Sequence, residues 1–306
     1  VFGAGYNGRS NPNLGSAVFL MDLENNGNVY KKIDITDASN TIVNSIPSDL
    51  GVVTANTSSR ANYYGAMVYA ADLEGKVTRI NLATDAGNSI ISYQTVKLFD
   101  AESSNTNGRY IYTGLETGVD NSGVLWLYFG TGDTQKIQDQ YSGMQNRIYG
   151  IKDTAWPSIT SSPSTGTVVN CINTSTGCPL STNLGWYTNL LNYQKLTAQP
   201  TINGTTVYFP IYEPPTLTNI CTSGKAILKL TNSICGNSIA ADPDKYLGTG
   251  VLSKAVTSGT KLVIGISGTA DVTQAKGFNK TDNVIVGDIS GTTATADVTI
   301  EAWREN

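Results

Sequence analysis

The sequence predicts an all-β fold, a stack of antiparallel four-stranded blades of the β-propeller kind with one long Ser/Thr-rich insertion. Three observations predict it: apolar runs alternating with period two, a strand–turn–strand unit that recurs along the chain, and small residues gathered at strand ends. Helix-period patterns are nearly absent.

The first unit is an apolar strand over residues 17–23, an Asn/Gly-rich turn over 24–28 and a second strand over 29–33. It returns as strands over 67–73 and 76–82, joined at Glu74-Gly75 and followed by a third strand over 94–99. Residues 123–132 with 147–153, and 205–212 with 225–230, repeat it twice more. The spacing is roughly 50 to 80 residues, wide enough for propeller blades with inserted loops. Each unit is a small meander that cannot bury both faces alone, and stacking neighbours face to face solves this. Gly3-Ala4-Gly5, Ala70-Ala71 and Gly130-Thr131-Gly132 suit crowding near a central axis. The same residues also fit ordinary turns; the repeat favours the axis. Further strands are expected over 262–266, 284–286 and 298–303, so residues 1–306 read as one domain. Residues 154–183, rich in Ser, Thr, Pro and Gly and without sustained alternation, read as an insertion of the kind that carries function.

Composition narrows the function. Only 14% of the 306 residues are charged, with 20 basic against 24 acidic and a net charge of −4, which excludes nucleic-acid binding through a basic field. The chain has no histidine, so no Ser-His-Asp or Cys-His pair, no His-ligated metal and no histidine base can form. The longest apolar run, residues 124–129, is far short of the ~20 residues that span a bilayer. Few charges among many small polar residues describe an extracellular β surface, and a start at Val1 reads as a processed piece.

The four cysteines fall into two local pairs, Cys171 with Cys178 and Cys221 with Cys235. Three pairings are open, and nearest neighbours are favoured because short loops close most readily. A zinc site is the competing reading, against which stand the absence of a CxxC spacing and of histidine. Disulfides imply an oxidising compartment.

Several motifs, in order, resemble the PilC/PilY family of type IV pilus-associated adhesins. Val1-Phe2-Gly3-Ala4-Gly5-Tyr6-Asn7 is similar to its "FGNGYN", and Val68-Tyr69-Ala70-Ala71-Asp72-Leu73-Glu74-Gly75-Lys76-Val77 to its "VYAGDLxGNL". Phe129-Gly130-Thr131-Gly132 with Arg147-Ile148-Tyr149-Gly150-Ile151-Lys152-Asp153 resembles "FGTG…fYGixD". Gly185-Trp186-Tyr187 resembles "GWY", and Ala302-Trp303-Arg304-Glu305 the terminal "SWRE". The resemblance implies a partial set of propeller blades from the C-terminal part of a larger secreted protein, with earlier blades preceding Val1. It also implies a calcium loop just before "VYAGDL". Here those ligand positions hold Ser58, Arg60, Asn62, Tyr64 and Ala66, with no carboxylate and a cation where the metal would sit. Calcium prefers several oxygens including Asp or Glu. This site is expected to be lost, and no metal or cofactor is expected.

The remaining candidates are weighed against simpler roles. Asp34 and Asp37 could offer oxygens to a cation, but an Asx turn is the preferred reading. Asp133 and Asp139 could pair as general acid and base, but a solvated loop is preferred, as is a turn for Asp242-Pro243-Asp244. Asp72 and Glu74 are assigned a structural role at their hairpin, and Trp126, Trp186 and Trp303 a packing role. Trp156, beside Pro157 in the insertion, is the candidate exposed anchor for a partner, with local packing as the alternative. Sequons begin at Asn56, Asn173, Asn203 and Asn279, a number that chance supplies in so Asn/Thr-rich a chain.

The expected function is a non-enzymatic adhesion and assembly module at a type IV pilus tip, outside the cell. The resemblance implies contacts with minor pilins, with a host or abiotic surface receptor, and with an upstream region containing a von Willebrand A-like domain. A quinoprotein-like propeller oxidoreductase is one alternative; it needs a calcium-bound quinone and usually a vicinal cystine, and no two cysteines here are adjacent. A carbohydrate-binding propeller is the other.

Overall fold

Strands form where branched and aromatic residues alternate, and five sheets result. A computed structural model of the chain describes residues 1–6, 14–36, 44–54, 65–84, 91–158, 166–171, 178–216, 222–239 and 243–289. The first sheet runs β1 (Phe2–Gly3), β2 (Ala17–Asp22), β3 (Asn28–Asp34). The second runs β4 (Gly51–Thr54), β5 (Gly65–Ala71), β6 (Lys76–Thr84), β7 (Ile91–Asp100). The third contains β8 (Glu116–Val119), β9 (Leu125–Gly130), β10 (Arg147–Asp153), β11 (Val168–Asn170) and β12 (Gly185–Asn189), ordered β11-β12-β10-β9-β8. In the fourth, β13 (Lys195–Leu196) and β14 (Thr201–Asn203) both pair with β15 (Thr206–Glu213), which leads to β16 (Lys225–Asn232) and β17 (Asp244–Thr249). The fifth orders β18 (Val256–Ser258), β19 (Lys261–Gly265), β21 (Val284–Asp288) and β20 (Phe278–Thr281).

The expectation of uniform four-stranded blades is met only in the second and fifth sheets. The first has three strands among the described residues. The fourth has five because Pro200, which lacks a ladder donor, falls between β13 and β14. The third has five because the insertion returns a strand, β11, to its edge. That strand runs parallel to β12, the one departure from antiparallel pairing among the described strands.

Alternation explains how the sheets stack. In β9 every residue is buried, with Leu125, Leu127 and Phe129 packing toward the second sheet and Trp126 and Tyr128 toward the fourth. A run that is apolar on both faces belongs to a strand covered on both sides. Each such side chain contributes roughly 1.5–3 kcal/mol on burial. The pattern repeats through the molecule. Val18, Leu20 and Ile33 of the first sheet pack on Val68, Ala70 and Ile80 of the second. Tyr208, Ala226 and Leu228 of the fourth pack on Leu262, Ile264 and Ile285 of the fifth. The five sheets therefore lie in series, each joined to the next by its own core.

Two glycines mark where opening strands crowd. A Cβ on Gly51 of β4 would stand 2.6 Å from Leu115 Cδ1, and one on Gly118 of β8 2.9 Å from Ile202 Cδ1 of β14. Strand β8 lies against both β4 and β14. The expected small-residue positions Ala70-Ala71 and Gly130 instead belong to the second strands, β5 and β9. Among the described residues no helix is long and apolar enough to cross a membrane.

Candidate functional site

The insertion begins where β10 ends, and its first turn is fixed by a buried ion pair. Asp153 and Arg79 are both fully buried, with Arg79 Nη1 2.8 Å from Asp153 Oδ1 and 3.0 Å from Oδ2. Tyr69 Oη donates to Oδ2 at 2.6 Å, and burial together with the Asp153 charge pushes the Tyr69 phenol well above its ordinary range. Asp153 Oδ1 also accepts the N–H groups of Ala155 and Trp156, while Arg79 Nη2 donates to Ser158 O at 2.6 Å. One carboxylate thus joins the second sheet, the third sheet and the start of the insertion. Removing one partner of such a pair costs about 3–5 kcal/mol because the other charge stays buried.

The other end of the insertion is tied down as well. The neighbouring Lys152, on the opposite face of β10, donates through Nζ to Leu180 O at 3.3 Å and Ser181 O at 3.2 Å. Its ammonium lies 5.8 Å from the centre of the Trp126 ring. Leu184 N–H bonds Thr167 O, carrying the chain between β11 and β12. Cys171 and Cys178 form a disulfide with Cα atoms 5.6 Å apart, as the spacing predicts. Within the described part of the insertion the exposed large apolar side chain is Leu180, at 59% exposure, next to the cystine. For Trp156 the structure shows local packing, the alternative to an exposed anchor. It is partly buried against the core between the second and third sheets, as are Val119, Val168 and Tyr187. Asp153 Oδ1 caps its backbone N–H and so fixes the turn on which it stands.

Of the second expected pair, Cys221 with Cys235, only Cys235 belongs to the described residues. Cys235 is a free thiol whose Sγ donates to Asn237 Oδ1, in a turn where Asn232 Oδ1 receives the Ile234 and Cys235 N–H groups. Its expected partner Cys221 lies outside the described residues. So do Ser58, Arg60, Asn62 and Tyr64, whereas Ala66 is a β5 strand residue opposite Leu82. Asp37, Asp242, Trp303, Asn56 and Asn173 are outside them too.

The carboxylates take mostly structural places. Asp34 Oδ1 accepts the N–H and hydroxyl of Thr36, the expected Asx turn. Asp244 opens β17 and pairs with Lys229. Asp72 Oδ1 accepts Lys76 N–H at 3.0 Å, and Asn44 Nδ2 bonds both Asp72 and Glu74. Burial pushes Asp72 up to about 7. Asp133 and Asp139 line one cavity of about 340 Å³ with Lys136, Tyr110 and Tyr141. Asp133 is buried rather than solvated, because its Oδ1 caps Gln135 and Lys136 N–H. Lys195, pushed down to about 8 by burial, holds this loop through Ile137 O at 2.9 Å and Asp139 O at 2.7 Å. Trp126 and Trp186 are buried as expected; Asn203 ends β14, and Asn279 is exposed on β20.

Sequence reasoning missed Arg79, Lys152 and the pairing role of Asp153. A signal existed: a charged residue inside a strand buried on both faces requires a buried partner.

Fold and site together define a stacked-sheet scaffold carrying one insertion anchored at both ends. No family model matches the chain. It is 27% identical over 270 residues to the type IV pilus biogenesis factor PilY1 homolog of Xylella fastidiosa strain Temecula1, covering 77% of this chain and 18% of that protein. It also resembles the crystal structure of the Pseudomonas aeruginosa PilY1 C-terminal domain, with TM-score 0.58 and 15% identity over 83% of this chain and 65% of that one. In sequence the chain is similar to a PilY1 homolog, and its fold matches that of the PilY1 C-terminal domain. It spans less than a fifth of the curated relative and about two thirds of the solved domain.

Proposed function

We propose that this chain is the non-catalytic scaffold domain of a type IV pilus tip-associated adhesin and assembly factor, acting outside the cell. The likeness to the PilY1 homolog supports the pilus assignment. The observation that carries the adhesive role is the anchoring of the insertion, residues 154–183, at both ends and at a cystine. A contact element already held in shape loses less entropy on binding. Minor pilins, a surface receptor and the upstream region of the same protein are its proposed partners. In this reading the five sheets are consecutive propeller blades of one domain over residues 1–306. The outer faces of the end sheets, with Phe2, Met21 and Val29 on one and Val256 and Val284 on the other, meet further blades.

The test is made in the bacterium that encodes the protein. Removing residues 1–306 from the gene abolishes surface pili or attachment, and normal piliation with normal attachment overturns the assignment. The double change Cys171→Ser/Cys178→Ser weakens attachment while leaving the melting midpoint of the purified domain within a few degrees. Unaltered attachment removes the insertion from the contact surface.

A further inference from the structure

Strand β10 has a second polar end. Arg147 and Tyr149 share a face with Asp153, by the two-residue period of the strand. The Arg147 guanidinium lies over the Tyr187 ring, 4.1 Å from its centre, and its Nε donates to Asn189 Oδ1 at 2.9 Å. Arg109 reaches the same place from the loop after β7. Its Nε donates to Gln145 O at 3.1 Å, Nη2 to Gln145 Oε1 at 3.4 Å and Nη1 to Ala101 O at 3.4 Å. Every one of these acceptors is neutral. Among the described residues no carboxylate lies within 4 Å of either guanidinium.

Beneath them the Tyr149 ring is buried among Phe99, Phe129 and Tyr187, with centroids 5.0, 5.1 and 6.3 Å away. No donor meets its hydroxyl in full hydrogen-bond geometry, and the nearest, the Arg147 guanidinium, bears on it closely enough to lower its pKa. Burial pushes that phenol up, while Arg147 and Arg109 pull it down, so both cations bear on the oxygen. Burial and then the Arg147 charge push Arg109 below its ordinary value, opposed by the exposed Glu102.

A guanidinium carries five N–H donors and no acceptor. The bonds above engage one donor of Arg147 and three of Arg109. The rest, with the Tyr149 hydroxyl, form a cluster of donors under repelling positive charge. Only an acceptor-rich anion satisfies both demands, and arginine forks match carboxylate and phosphate geometry. We propose that Arg109, Arg147 and Tyr149 form a binding site for a small oxyanion, a carboxylate or a phosphate. The stacking of Arg147 on Tyr187 and the tethering of Arg109 to Gln145 hold the donors in place before the ligand arrives.

The experiment uses the purified chain at constant ionic strength, with chloride replaced stepwise by inorganic phosphate in one arm and acetate in the other, read by melting midpoint and by calorimetric titration. The wild type gains stability saturably with at least one anion, and the stronger arm names the source. Arg147→Gln and Arg109→Gln each weaken that binding roughly tenfold or more. Tyr149→Phe melts within a few degrees of wild type without anion, because it removes a buried hydroxyl that no donor meets in full geometry, yet binds more weakly. Lys254→Gln, which loses a surface cation paired with Glu116, responds as wild type does. No response to either anion overturns the site, as does an undiminished response in Arg147→Gln and Arg109→Gln or an equal loss in Lys254→Gln. The readout is independent of pili, so it stands or falls separately from the pilus assignment.

Discussion

Strand β10 meets charge at both ends, about 20 Å apart by strand rise, and the two ends handle it in opposite ways. At Asp153 one arginine, one phenol and two backbone N–H groups converge on a single carboxylate, all of it dry. At Arg147 two arginines and a phenol gather with no carboxylate among them. The residue types nearly repeat; the balance of donors and acceptors does not. A closed network between two sheets acts as a joint, and an unbalanced one marks a place that another molecule can complete.

The largest effect is expected at the closed end. Asp153→Ala strands Arg79, frees the Tyr69 hydroxyl and uncaps the insertion, and costs about 3–5 kcal/mol in denaturant melts. A loss below about 1 kcal/mol means the joint is not dry.

Next comes the opposite face of the same strand, where Gly150 lies two residues before Lys152. A Cβ on Gly150 would sit 2.4 Å from Trp186 Cε2, and Trp186 is fixed by its Nε1 bond to Ser233 O at 2.9 Å. Gly150→Ala is expected to cost about 1–3 kcal/mol through overpacking.

A third test concerns another buried carboxylate whose partners leave it short of compensation. The folded state raises Asp72 to about 7 through burial, against its Lys76 and Asn44 bonds. Between about pH 4 and 7 the folded chain keeps a proton that the unfolded chain releases. The stabilising contribution is therefore complete below pH 4 and lost as pH rises through 7. Asp72→Asn flattens that decline in a pH series of melting midpoints; an unchanged slope refutes the assignment.

The smallest effect belongs to the open end. Arg147→Gln loses its hold on Tyr187 but relieves repulsion with Arg109, so without anion its stability stays within about 1 kcal/mol of wild type.

Much of the fold was legible because period two assigns each side chain to a face. Residues 123–132 and 205–212 announced strands, and the 171/178 spacing announced its disulfide. Alternation does not say which sheet a face meets. Arg79 and Asp153 lie 74 residues apart, and no local pattern joins them. The strand at 168–170 was hidden because three residues are too few to show a period. The sequence left Trp156 between exposed anchor and local packing because the carboxylate that caps its N–H is set by Arg79 in another sheet. At the open end the residues were visible inside a family motif, but Arg109 is brought to them only by its bonds to the turn at Gln145.

The most direct measurement is a double-mutant cycle on Arg79→Gln and Asp153→Asn in the purified chain. If one buried pair joins the second sheet to the third and sets the base of the insertion, the two changes couple by about 2–3 kcal/mol. Additivity within about 0.5 kcal/mol would show that the two residues do not act together, and the joint described for this molecule would not exist.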